Sequence, residues 1–515
     1  MSRRRISAPL LACAAVAAIL SGCGGGGGGN VDVGPAAAVP ANTPIYIDAV
    51  VRPTGTAQTD AKAAASKILS TPDPGGKIIS LIEQGTKANG HPINFQQDVS
   101  PWLGKEAGIF FTTLSGPDSQ GTVVVESTNA NAALAFARKA TGSTPANPAS
   151  QTYNGVSYQT DPTNTTNVFG TVGNFLVEGP LTGFKAAVDA SKGDSLGDSS
   201  DFKDSIGDLP DDRLGTFYTV PKNLLAAIPA GQLGPSGQNL LQQSAGENLD
   251  KPFAGAVTAT SDSIDLDLKG GGNEIDTPES SLLGDVPAQS WLALGIGNLG
   301  ERVKQTIDQL RDQVPSIEAI LNQVQSTTGS SIDELTGSLG DAVLYVQGTT
   351  QSTLSGALVI QTKNSSLTGR LLMQLQSLLQ LGSAGGKVTP LQLSGGGTGF
   401  QINNPSVAPA PVEIAQQGDK LVVGYGANSA EQTLTPAQKL SDSPSFSSAK
   451  DQVSSVGTDF FLSFPQVFQL AESSGAKNSP GYVQAKPYID ALNYLVTGSG
   501  GSGGKAEFKA VVGLK

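Results

Sequence analysis

Short runs of alternating apolar and polar residues recur along the chain, and they fall into two series of the same order, about 240 residues apart. Pro40-Ala41-Asn42-Thr43-Pro44-Ile45-Tyr46-Ile47 opens the first series and Pro287-Ala288-Gln289-Ser290-Trp291-Leu292-Ala293-Leu294 the second, each leading into a predicted strand. Asp98-Val99-Ser100-Pro101-Trp102-Leu103-Gly104 precedes a strand over 107–112, and Leu335-Thr336-Gly337-Ser338-Leu339-Gly340 precedes one over 342–346. Strands over 122–126 and 357–361 follow, succeeded by helices over 131–140 and 367–381. Tyr158-Gln159-Thr160 parallels Phe400-Gln401-Ile402. Each series then shows a hairpin, 168–172 with 175–178 around Gly173-Asn174, and 412–415 with 421–424 around Gly418-Asp419. Glycine first is what a two-residue hairpin turn with positive φ requires. Phe217-Tyr218-Thr219-Val220-Pro221 matches Phe461-Leu462-Ser463-Phe464-Pro465, with a helix after each proline, and the series end on alternating segments over 253–268 and 506–514.

The clearest helical period runs over 301–325, where Val303, Ile307, Leu310, Val314, Ile317 and Leu321 recur at steps of three and four. Pro315 should break it into two pieces. The whole pattern predicts an α+β fold, two tandem copies of a mainly antiparallel sheet packed with helices on one side. The copies are expected over 40–270 and 284–515, parted by a glycine- and serine-rich stretch within 270–283.

Ahead of the first copy, Arg3, Arg4 and Arg5 form a basic region and 10–20 an apolar one too short to span a bilayer, which reads as a secretory signal over 1–22. Leu20-Ser21-Gly22-Cys23 closes it and resembles the bacterial lipobox. That resemblance implies cleavage before Cys23 and lipidation of its sulfur, anchoring the mature chain on the extracytoplasmic face of a cell membrane. The glycine tract 24–29 and the small, proline-containing stretch after it are expected to act as a flexible tether over 23–39. Loss of Arg3, Arg4 and Arg5 takes the net charge from −12 to −15, which excludes nucleic acid as a partner. Cys13 leaves with the signal and Cys23 with the lipid, so the body has no thiol chemistry and no disulfide.

The ordered landmarks resemble a bacterial family of domains of unknown function, number thirty-three fifty-two, found in secreted and membrane-attached actinobacterial proteins. The residues that carry the resemblance are Pro40-Ala41 and Pro287-Ala288 before a strand, Pro101-Trp102-Leu103-Gly104, and the regions around Phe217 and Phe461. It implies an envelope location and brings no catalytic residues. The second copy has Ser338 in a Gly-Ser-Leu-Gly stretch without the tryptophan, which marks Trp102 as core packing.

Four motifs were weighed for chemistry. Gly295-Ile296-Gly297-Asn298-Leu299-Gly300 fits a dinucleotide fingerprint, but the chain continues helical where a second parallel strand is needed, so a strand-to-helix turn is expected. Asp194, Asp198, Asp201, Asp204, Asp208, Asp211 and Asp212 crowd one segment, yet fit no calcium loop. Ser447-Ser448-Ala449-Lys450 and Ser474-Gly475-Ala476-Lys477 fit S-x-x-K without its companion motifs. His91, the single histidine, sits in a turn and cannot complete a triad. No catalytic, metal or cofactor residues are therefore expected. The expected function is a lipid-anchored, non-enzymatic binding or structural module for an envelope protein, a wall polymer or an apolar ligand. A lipid or lipoprotein carrier is the first alternative, with Leu371, Leu372, Leu375, Leu378 and Leu379 lining a cavity. A hydrolase with paired carboxylates is the second.

Overall fold

The computed structural model describes residues 33–515 other than 89, 115–118, 144–149, 163, 230–247, 272–277, 315, 382–385, 407 and 503. The signal, Cys23 and the glycine tract lie outside the described residues, as do Pro315 and part of the stretch expected between the copies. The described chain divides into two compact units, the main cut falling between 274 and 275.

In the first unit the strands are β1 (Ile45–Val50), β2 (Leu103–Phe110), β3 (Thr122–Ser127), β4 (Gln151–Tyr153), β5 (Val156–Thr160), β6 (Asn167–Val172), β7 (Phe175–Pro180), β8 (Gly215–Thr219), β9 (Phe253–Ala259) and β10 (Ser263–Gly270). Every neighbour pair is antiparallel, in the order β10-β9-β8-β1-β2-β3-β7-β6-β5-β4. The second copy contains β11 (Ser290–Ile296), β12 (Leu339–Gln347), β13 (Ser355–Thr362), β14 (Lys387–Gln392), β15 (Thr398–Asn403), β16 (Val412–Gln417), β17 (Lys420–Tyr425), β18 (Phe460–Ser463), β19 (Leu492–Ser502) and β20 (Lys505–Leu514), of which 501–507 and 514 group with the first unit. Its order is β20-β19-β18-β11-β12-β13-β17-β16-β15-β14. Each strand of the second copy thus follows the same order as its counterpart ten places earlier, and the duplication legible in the landmarks is a duplication of topology.

Local chemistry explains the repeat. Gly173 and Gly418 open the β6–β7 and β16–β17 turns at φ +59° and +60°, a conformation that costs other residues a Cβ clash. Asn129 caps the helix Ala130–Thr141 by accepting from the Ala132 N–H at 3.1 Å, and Asn364 caps the helix Ser365–Leu381 by accepting from the Leu367 N–H at 3.0 Å. An edge-to-face pair recurs at one place in both cores, Phe202–Tyr218 at 5.1 Å and Phe446–Phe461 at 5.2 Å. The long helical period is two helices, Leu299–Gln313 and Ile317–Thr328, on either side of position 315.

Three expectations change. Helices cover both faces of each sheet, not one. In the first unit Phe184 and Phe202 pack on the face of Val124 and Val177, while Phe136 and Trp102 pack on the face of Val123, Val125 and Leu176. Consecutive β3 and β7 residues are accordingly buried almost without alternation. Two landmarks are one residue out of register. Gln159, not Tyr158, corresponds to Phe400, since these pair with Phe169 and Ile414. Tyr218, not Phe217, corresponds to Phe461, since these pair with Tyr46 and Ala293. A shift by one sends a side chain to the opposite face. Finally, residues 34–39, expected within the tether, belong to the core. Gly34–Ala38 is a short 3₁₀ helix and Ala36, Ala38 and Val39 are fully buried.

Candidate functional site

The candidate site lies in the second unit, on the face of β16 and β17 covered by the helices Leu299–Gln313, Ile317–Thr328, Ile332–Gly337 and Ser365–Leu381. It is an open cleft of about 440 Å³. Ile414, Leu421 and Val423 form its floor, and the helices contribute Val303 and Ile307, Leu321 and Val324, Ile332 and Leu335, and Leu371, Leu372 and Leu375. Three polar residues line it, and each hydroxyl is engaged within the protein. Thr336 donates to the Ile332 carbonyl at 2.9 Å, Ser338 donates to the Leu335 carbonyl at 2.7 Å, and Thr368 is bonded to Thr362 at 2.7 Å. The wall left to a ligand is therefore aliphatic, with no charge and no spare donor pointing in.

The cleft exists because of substitutions between the copies. Backbone hydrogen bonds fix the correspondence: Thr128 N–H donates to the Trp102 carbonyl at 2.8 Å, and Lys363 N–H donates to the Ser338 carbonyl at 2.7 Å. Ser338 thus stands where the first copy has Trp102. By the shared asparagine caps, Leu371 stands for Phe136, Leu372 for Ala137 and Leu375 for Ala140. In the first copy the Trp102 indole packs against the Phe136 ring at 5.2 Å and donates to the Asp98 carbonyl at 2.7 Å, and both rings are buried. A serine and a leucine in those two places remove both rings and leave the gap unfilled.

On the same face of the first copy Glu178 occupies the position of Val423, beside Val123 and Phe169. It is 4% exposed, and Asp161 nearby is fully buried. Loss of hydration, with the Asp161 carboxylate adding to it, pushes the Glu178 carboxyl up to about 8. One strand beyond Phe169 in the same row, Gln159 accepts from Arg138 Nε at 3.0 Å. Glu178 and Asp161 therefore lie together inside a core.

A second recess in the first copy, about 490 Å³, is lined by Asp48, Arg52, Lys105, Glu106, Arg213 and Thr216 among others. Asp48 accepts from the Thr216 N–H at 3.1 Å, and loss of hydration still lifts its carboxyl to about 6. The second copy has Gly295 at this place, where a Cβ would come within 3.0 Å of Ser280.

The motifs weighed in the sequence fall elsewhere. Gly295 and Gly297 end β11 and enter the helix Leu299–Gln313. A Cβ at Gly297 would lie 1.9 Å from the Pro278 carbonyl oxygen, and one at Gly300 would lie 2.1 Å from that of Thr336. The glycines admit the protein's own backbone, and β11 is antiparallel to both neighbours. Lys450 pairs with Glu279 at 2.6 Å and Ser447 donates to the Ser441 carbonyl, so this serine and lysine are engaged apart from one another. Ser474 caps a helix end and Lys477 lies in a separate 3₁₀ turn. His91 is half-buried against Gly142, the left-handed cap of the helix Ala130–Thr141. Asp198 accepts from Ser195 Oγ at 2.6 Å, a helix-start arrangement, and no cluster of three metal-ligating side chains occurs among the described residues. Of the leucines expected to line a cavity, Leu371, Leu372 and Leu375 do so, while Leu378 stands outside in solvent. Among the described residues no helix is long and apolar enough to cross a membrane.

A family model described as "Protein of unknown function (DUF3352)" matches residues 51–503, spanning both copies. No curated protein and no solved structure matches the chain.

Proposed function

This chain belongs to the DUF3352 family of proteins of unknown function, and on that footing we propose that it is a non-enzymatic binding protein of the bacterial envelope. In this reading it is anchored through lipid on Cys23 and holds one apolar chain in its second copy. The observation that carries the reading is the aliphatic cleft opened by Ser338 and Leu371 where the first copy is closed by Trp102 and Phe136. A dry cavity of about 150 Å³ accepts a six-carbon ring, so an open aliphatic cleft of about 440 Å³ has room for an aliphatic chain. An aliphatic wall recognises length and thickness, not head-group chemistry, which fits a single acyl chain. The non-enzymatic part of the reading is supported by the engagement of Ser447 and Lys450 apart from one another and by the burial of Glu178 and Asp161, which keeps water and substrate from that pair.

The test is titration with a dansyl-labelled undecanoate. About ten methylenes buried at ~0.8 kcal/mol each set a micromolar scale for binding. Saturable, blue-shifted fluorescence on the intact chain, abolished by Ser338→Trp, is the expected result. Equal binding by Ser338→Trp would remove the cleft from the account.

A further inference from the structure

We propose that the mouth of this cleft is a lipid-docking surface, laid against a neutral bilayer from which the second copy takes its apolar chain; the proposal rests on the acyl-chain reading above. Residues three or four apart on a helix share a face, so the two stripes that wall the cleft can be followed outward. Leu371 and Leu375 line it; Leu378 and Leu381 continue their stripe and are 55% and 87% exposed. Val324 lines it from the other side, and Ile320, one turn back, is 56% exposed. Large aliphatic side chains held in water on both lips are the exception on a folded protein, and they mark a surface that is covered in use.

The composition of the lips selects the cover. No charged residue occurs over 371–381 or over 319–328, so nothing here would pair with an acidic or basic protein patch or with anionic head groups. The helix Ser365–Leu381 has 17 residues where its first-copy counterpart has 12, and the first-copy helix ends on Arg138 and Lys139 where this one has no basic residue in its last turn. The exposed apolar end of this helix is thus absent from its described first-copy counterpart, Ala130–Thr141. An acyl chain resides in a bilayer and not in water, so the mouth of its site has to meet that phase.

The experiment uses the mature chain with Cys23→Ser, to remove the anchor, and phosphatidylcholine vesicles. We expect co-sedimentation that is insensitive to salt, since no charges contribute. The triple variant Ile320→Asp, Leu378→Asp, Leu381→Asp should lose on the order of tenfold or more in vesicle affinity, while its affinity for the dansyl probe stays within about twofold. As a variant that adds no charge, Leu378→Trp should be quenched by brominated phosphatidylcholine vesicles. No vesicle binding by the parent, no loss in the triple variant, or no quenching of Trp at 378 overturns the docking surface; a protein partner on the lips would give the first of these. Vesicle binding without probe binding would support the docking surface and overturn the acyl-chain reading of the cleft.

Discussion

One position, read in both copies, separates a core from a site. Trp102 and Ser338 accept the same backbone hydrogen bond at the same corner of the same ten-strand topology, yet the first is wrapped by Phe136 and the second leaves a cleft. Since strand order, turns, caps and the Phe–aromatic pair are common to both copies, the difference teaches that the fold does not need the space to be filled. The first copy closes it with rings and the second stays folded around aliphatic walls. The first copy also buries Glu178 on this face where the second has Val423, so what is a titratable interior in one is an apolar floor in the other.

The largest effect should come from making the first copy resemble the second. Trp102→Ser removes a buried indole and the hydrogen bond to Asp98, and should destabilise that unit by about 3–5 kcal/mol, seen as an early transition in chemical denaturation. A cleft opened in the first copy by this change, detected as a second dansyl-undecanoate site, would show that the rings alone keep it closed. Next comes pH. Glu178, raised to about 8, keeps its proton in the folded state, whereas in the unfolded chain it releases it near its ordinary value of 4.5. Its contribution is therefore fully present below about pH 4.5, falls as pH rises, and is gone above about 8. The loss amounts to on the order of 1 kcal/mol per pH unit within that window. Denaturation at pH 5.5 and 8.5 should show that slope in the parent and not in Glu178→Gln; a slope of the opposite sign would contradict the burial argument.

Smaller effects sharpen the comparison further. Ser338→Trp should make the second copy resemble the first, adding roughly 1–2 kcal/mol if the indole seats as Trp102 does and costing a similar amount if the leucines do not yield. Either outcome can be read from the midpoint of denaturation together with loss of the probe. The smallest is a control. Asn129→Ala and Asn364→Ala should each cost about 1 kcal/mol, and the two costs should agree, because this cap is common to both copies.

Much of this arrangement was legible in the amino-acid sequence, for reasons that are local. Glycine at 173 and 418 acts through its own backbone, so the two hairpins could be placed without the rest of the fold. Register could not. Tyr158 and Phe400 look alike as aromatic residues in short strands, and only the partners Gly170 and Ile414 show that they point to opposite faces. The strand β19 is absent from the sequence reading because its second half, Gly498-Ser499-Gly500-Gly501-Ser502, reads as a loop, and only its place between β18 and β20 makes it a strand. Cover on both faces was missed for a related reason, since the near-continuous burial of β3 and β7 resembles a parallel strand and not a one-sided antiparallel one. The cleft had a trace in the sequence, the missing tryptophan beside a leucine-rich helix. Turning that trace into a site required the alignment of Ser338 on Trp102 and Leu371 on Phe136, which only the hydrogen bonds supply.

The burial of Ala36, Ala38 and Val39 has a mechanical consequence. A pull on the N-terminal side of the first copy reaches the fold at the Gly34–Ala38 turn, where a Cβ on Gly34 would strike Glu106 of β2, and just beyond it at the Pro40–Ser195 bridge. From residue 33 onward the load enters the interior directly. A force applied from that side would therefore be borne by buried residues of the first copy, which yield only when its core opens.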